Sequence, residues 1–277
     1  MPNGNMMVLI AMALVLAPAS ASALDGTHHP DWSGQWVRVG PNTFDPTKPP
    51  GLGQGAPLTA EYQAVLESSI AAQSVGGLGN NPAGGCVPPG MPRMMIGYVG
   101  GIEFVVTPDV TYVLMNEPTA QIRRIYTDGR TWPRTIEPSF VGYSIGTWSD
   151  SHGDRSYDTL SVETRALRGP RSFDGSGIPF HADNQTIVKE RISLDPGNHS
   201  FLINEITVID HALTRPWTVK RSYIRDQQPL WIETNCSDED LRVRLGGEIY
   251  FKSVDGALMP TRKNQPPPNL RYFNTSR

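Results

Sequence analysis

Cysteine is nearly absent from this chain, with two in 277 residues, Cys86 and Cys236. Neither has a second cysteine or a histidine at ligand spacing, so no zinc-finger or CxxC redox site is written in the sequence. In an oxidising compartment an even pair reads as one disulfide, with two isolated thiols as the alternative. Charge is also sparse. Charged residues make up 18%, the net charge is −3 and the pI is near 6.1, so there is no basic field for nucleic acid. GxSxG, HExxH, GxGxxG and a Walker loop are all missing, which leaves the common hydrolase, zincin, dinucleotide and nucleotide signatures without support. Long apolar runs are missing too. The longest, Met6–Ala17, has twelve residues, too short for the ~30 Å hydrocarbon core of a bilayer.

That run, ended by Pro18 and followed by Ala21-Ser22-Ala23, fits a cleaved signal peptide over 1–23, although MPNGN supplies no Lys or Arg. A buried N-terminal helix or uncleaved anchor is the other reading. The expected mature protein, 24–277, is periplasmic or secreted, with no membrane attachment after cleavage and no nucleic-acid partner. Self-association is left open. What the chain has in quantity is turn formers, 27 Gly and 25 Pro, which suit short strands and tight loops.

Residues 24–102 read as an arm, one helix and loops. Trp32 and Trp36 are expected to anchor the arm in a surface groove. The helix starts after Thr59, with Tyr62, Val65, Leu66 and Ile70 at helical spacing. Residues 103–253 read as strands: 103–107, 110–116, 121–127, 140–149, 158–164, 185–194, 201–209, 217–225 and 247–253, followed by a tail over 254–277. Pro108-Asp109 and Asp195-Pro196-Gly197-Asn198 mark hairpin turns. Such a series predicts a mainly β, antiparallel up-and-down meander closing into a lipocalin-like barrel, because closure removes both sheet edges. A sandwich or partly open sheet is the runner-up. A barrel of this size is expected to hold an end-open pocket.

Candidate chemistry lies first in Arg123-Arg124-Ile125-Tyr126-Thr127-Asp128-Gly129-Arg130. Strand alternation puts Arg124, Tyr126 and Asp128 on one face and Arg123 and Ile125 on the other. One arginine would clamp a carboxylate while Tyr126 moves a proton. The simpler reading is a turn at Asp128-Gly129, held by Asp128 pairing with Arg130 or Arg124. Of six histidines, His181 enters a strand after a Gly/Pro-rich loop and is the best general-base candidate. His211, His152, His199, His28 and His29 read as loop, arm or strand-end residues. Tyr143, Trp148 and Trp217 are either core or the walls of an aromatic pocket. Glu190-Arg191 points to opposite faces of one strand, so each needs its own partner.

Several segments together resemble a large family of exported bacterial proteins, mostly of unassigned activity. They are Asp31-Trp32-Ser33-Gly34, Pro57 to Gln63, Cys86 to Arg93, Arg123 to Arg130, Gly142 to Trp148, Asp158-Thr159-Leu160 and Arg215 to Thr218. Residues 151–157 look like an insertion relative to that family. Cofactor-independent decarboxylases of phenylcoumaran-type lignin dimers are similar to it. The resemblance implies a lyase for a small phenolic acid that needs no cofactor and no metal. Arg123, Arg124 and Arg130 would then bind substrate with Tyr143, Trp148 and Trp217, and Tyr126, His181 and Asp128 would transfer protons. The alternative is a barrel that binds an aromatic or apolar ligand without turnover.

Overall fold

In the computed structural model, the described residues are 28–40, 47–48, 52–75, 77–85, 87–96, 101–115, 119, 121–230, 242–245, 248–252 and 257–268. The signal-peptide segment and both cysteines of the expected disulfide lie outside them.

Nine strands close into a barrel: β1 (Gln35–Val39), β2 (Ile102–Val106), β3 (Val110–Met115), β4 (Gln121–Tyr126), β5 (Tyr143–Ser149), β6 (Thr159–Arg165), β7 (Ile187–Asp195), β8 (Asn198–Ile209) and β9 (Trp217–Arg225). The helices are α1 (Ala60–Ser74) and α2 (Arg93–Ile96). Neighbours follow chain order, and β1 closes the ring by pairing antiparallel with β9. Nine is odd, and an odd ring cannot alternate direction throughout. One parallel pair is therefore required, and it falls between β4 and β5, where Ile125 faces Ser144. The crossover 127–142 makes that pairing possible. Gly146 sits at the seam: a Cβ there would meet Ile125 Cγ2 at 2.7 Å and Leu160 Cδ1 at 3.0 Å.

Two expectations need correction. The segment holding Trp36 is a barrel strand rather than an arm in a groove, although both Trp32 and Trp36 are buried. Glu248–Lys252 does not join the barrel. It pairs with Arg242–Leu245 and Leu258–Pro260 in a separate three-stranded sheet, so the residues after 253 hold a strand as well as a tail.

Strand alternation sends Val113, Ile125, Leu160, Val188, Ile206 and Val219 inward to the core. The short helix α2 is buried among them through Met94, Met95 and Ile96, and the Tyr223 hydroxyl donates to the Met95 carbonyl. α1 rests on the loop before β7: the Ser69 hydroxyl donates to the Ser176 carbonyl (2.9 Å), and Gln73 Nε2 to the Gly175 carbonyl (2.8 Å). Its apolar spacing is only partly used, since Leu66 is buried but Val65 is exposed. Among the described residues no helix is long and apolar enough to cross a membrane.

Candidate functional site

A cleft of about 710 Å³ opens where β6 starts, the β7–β8 hairpin turns and the segment 28–31 crosses. Its position follows from hydrogen bonding along the chain. The His28 amide donates to the Arg155 carbonyl (2.9 Å), and the Tyr157 amide to the His28 carbonyl (2.8 Å), so the arm is zipped to the loop 150–158. That loop contains the segment read as an insertion, and it builds one wall. Arg225 fastens the arm from the barrel: its Nη1 and Nη2 donate to the Ser33 carbonyl (2.5 Å) and the Asp31 carbonyl (2.7 Å). Its guanidinium also lies 4.7 Å over the Trp36 ring.

Four of the six histidines, His28, His29, His152 and His199, line this cleft with Tyr157 and Arg191. Sequence reading treated those histidines as arm and loop residues, because β7–β8 pairing and the crossing arm bring them together only in three dimensions. Behind the wall, Trp148 packs edge-on to His29 (5.3 Å between ring centres) and near Tyr157 (6.1 Å). Burial lowers the His29 pKa below its ordinary value.

Ser151, His152 and Asp158 have the residue types of a hydrolytic triad but not its geometry. Asp158 Oδ2 accepts from the Ser151 hydroxyl and lies 3.0 Å from His152 Nδ1, the same nitrogen that Ser151 Oγ approaches at 3.3 Å. A relay needs serine and carboxylate on opposite imidazole nitrogens. Asp158 is instead a structural acceptor. Burial alone would raise its pKa, but bonds from Ser151, Thr159 and His152 outweigh this and hold it at about 2. Among the cleft's cations, Arg225 is committed to the arm. Among the described residues, Arg191 has one long side-chain contact, Nη2 to Thr159 Oγ1 at 3.4 Å.

The residues singled out from sequence fall in three other places. β4 has the opposite phase from the one that aimed Arg124, Tyr126 and Asp128 at a pocket: Arg123 faces inward and is 1% exposed, while Arg124 is exposed. Arg123 Nη2 meets Glu190 Oε2 at 2.5 Å and Thr164 Oγ1 at 2.8 Å, and its Nε donates to Ser144 Oγ at 3.1 Å. Asn204 Nδ2 satisfies the other Glu190 oxygen at 2.9 Å. Glu190 and Arg191 thus do have separate partners, and Arg123 is an internal strut.

Tyr126, Asp128, Arg130 and Tyr143 form an outer-surface cluster. Arg130 forks onto Asp128 (2.6 Å), lies 3.7 Å over the Tyr126 ring and donates to the Tyr143 hydroxyl at 3.3 Å. This is the turn reading of Asp128-Gly129, and it ties the start of the β4–β5 crossover to β5. Trp217 packs in the core against Phe173, 4.3 Å between ring centres.

His181 lies at the barrel end opposite the cleft. Its Nδ1 is 3.0 Å from Asp183 Oδ2, and its ring neighbours are Tyr62 and His211. No contact among the described residues joins it to Tyr126, the residue expected to share proton transfer with it. His181, Asp183 and His211 also converge, with one candidate donor atom from each within 4.8 Å of the others. No family model, no curated protein and no solved structure matches the chain.

Proposed function

We propose that the cleft at the 28–31 crossing takes a small phenolic carboxylic acid and that the protein acts on it as a cofactor-independent lyase, by decarboxylation. The observation that carries this reading is Arg191, a guanidinium on the cleft wall with one long internal contact among the described residues, beside Tyr157 and two histidines. Among the described residues His28 and His199 have no side-chain hydrogen bond or ion pair. A guanidinium suits a carboxylate through two parallel N–H···O bonds. An aromatic wall suits a flat ring. A free imidazole can take the proton of a substrate phenol or return one to the carbon that loses carbon dioxide. The volume, about 710 Å³, falls within the roughly 300–1,000 Å³ of small-molecule pockets and accommodates a two-ring acid.

The second reading is binding without turnover. The openness of the site favours it: Arg191 and His199 are exposed, so the ligand stays in a cleft open to water instead of an enclosed chamber. The protein, incubated without added cofactor with phenolic dimers and single-ring acids, should consume at least one and release carbon dioxide, followed by chromatography. Saturable binding with no product would establish the second reading in place of the first.

A further inference from the structure

The pairing of β7 with β8 sets Ile187 opposite Ile209, so the loop before β7 and the turn after β8 meet at one barrel end. Three potential ligands converge there from those two segments. Asp183 Oδ2 lies 3.0 Å from His181 Nδ1 and 2.5 Å from His211 Nδ1, and the candidate donor atoms all lie within 4.8 Å of one another. We propose that His181, Asp183 and His211 form a binding site for a first-row divalent cation, zinc in the first instance, which clasps the loop before β7 to the turn after β8.

The hydrogen bonding around the cluster crowds acceptors onto one side. His181 Nδ1 accepts the Asp183 amide N–H at 3.2 Å, so in that role it carries no proton. The same nitrogen faces the carboxylate Oδ2 at 3.0 Å, and two lone-pair atoms so close repel unless a proton or cation lies between them. One neutral tautomer cannot serve both neighbours. Two imidazole nitrogens and one carboxylate oxygen, with the remaining positions open to water, form a ligand set used by zinc. Ligands at ~2.0–2.2 Å from a tetrahedral ion lie roughly 3.3–3.6 Å apart, so each Asp183–histidine separation must widen by about an ångström at most. His211, largely exposed, has room to do so.

The supporting shell is already built. Buried Asp210 accepts the His181 amide (2.9 Å) and the Ala212 amide (2.8 Å) on Oδ1, and the Thr186 hydroxyl (2.5 Å) on Oδ2. One carboxylate therefore fixes the backbone beside two of the ligands. Arg171 Nη2 donates to Thr186 Oγ1 at 2.6 Å and braces Asp210 in turn. Asp183 Oδ1 accepts the Gln185 amide at 3.0 Å, which orients the carboxylate and leaves Oδ2 for the ion. Outer-shell bonds of this kind hold ligands in position before the metal arrives.

The test uses the full chain without a histidine tag, stripped of metal by a chelator and titrated with zinc alone by calorimetry. One equivalent should bind, zinc should raise the melting temperature, and cobalt in its place should give visible ligand-field bands. His211→Ala and Asp183→Asn alter exposed or rim groups and should leave the metal-free fold intact by circular dichroism. Each should weaken zinc binding by more than the roughly 10–100-fold typical of losing an outer-shell partner, and should abolish the melting shift and the cobalt bands. His152→Ala and His199→Ala, in the cleft at the other end, should leave zinc binding unchanged. Absence of saturable zinc binding would overturn the proposal. So would binding that survives His211→Ala and Asp183→Asn, or that is lost with His152→Ala or His199→Ala.

Discussion

Glu190 is fully buried against Arg123, so removing the guanidinium alone is expected to be severe. Arg123→Met leaves an unpaired carboxylate in the core and should cost about 3–5 kcal/mol in urea unfolding. Removing both charges, as Arg123→Met with Glu190→Leu, should recover most of that loss. A single variant as stable as wild type would show that the buried Arg123–Glu190 pair does not hold the core together. Asp158 yields a prediction in pH. Its folded pKa, about 2, lies below the ordinary 3.8, so the stability it contributes is complete above pH 3.8 and lost as pH falls through about 2. Thermal melts between pH 5 and 2 should fall more steeply for wild type than for Asp158→Asn. Parallel curves would mean the loop 150–158 does not depend on that carboxylate.

Gly146 belongs to the scale of elements, because it sits at the one parallel pairing of the ring. With Ile125 Cγ2 and Leu160 Cδ1 at 2.7 and 3.0 Å from an added Cβ, Gly146→Ala forces core side chains aside. It should destabilise by ~1–3 kcal/mol, the usual cost of overpacking, read from a shift in the urea midpoint. An unchanged midpoint would mean that Ile125 and Leu160 yield freely. Strands were the most legible elements. β7, β8 and β9 carry clear period-two alternation between good turn signals, and their positions agree with expectation within a few residues. β1 was not legible, since Gln35–Val39 is short and becomes a strand through β9, which pairs Val39 with Ser222. β4 was legible as a strand but not in phase. Isoleucines occupy both faces, Ile125 buried and Ile122 55% exposed, so only a partner 67 residues away, Glu190, decides which arginine turns inward.

At the scale of the whole molecule, the histidines collect at the two ends of the barrel: four in the cleft, and His181 with His211 opposite. Neither group could be read from spacing, because each is assembled across the β7–β8 ladder and, for the cleft, by the arm zipped onto 150–158. If the cleft recognises the carboxylate, Arg191→Gln should raise the dissociation constant for a phenolic acid, by about 1.5–3 kcal/mol for a hydrogen bond to a charged group, and leave that for its methyl ester nearly unchanged. Equal losses for acid and ester would make Arg191 a structural residue. The most direct measurement is a crystal structure soaked with a para-hydroxyaryl acid that binds or is turned over. It should show the acid between His28, Tyr157 and His199, with its carboxylate on Arg191. Density inside the barrel at Arg123, or on the outer face at Tyr126, with an empty cleft would contradict the account.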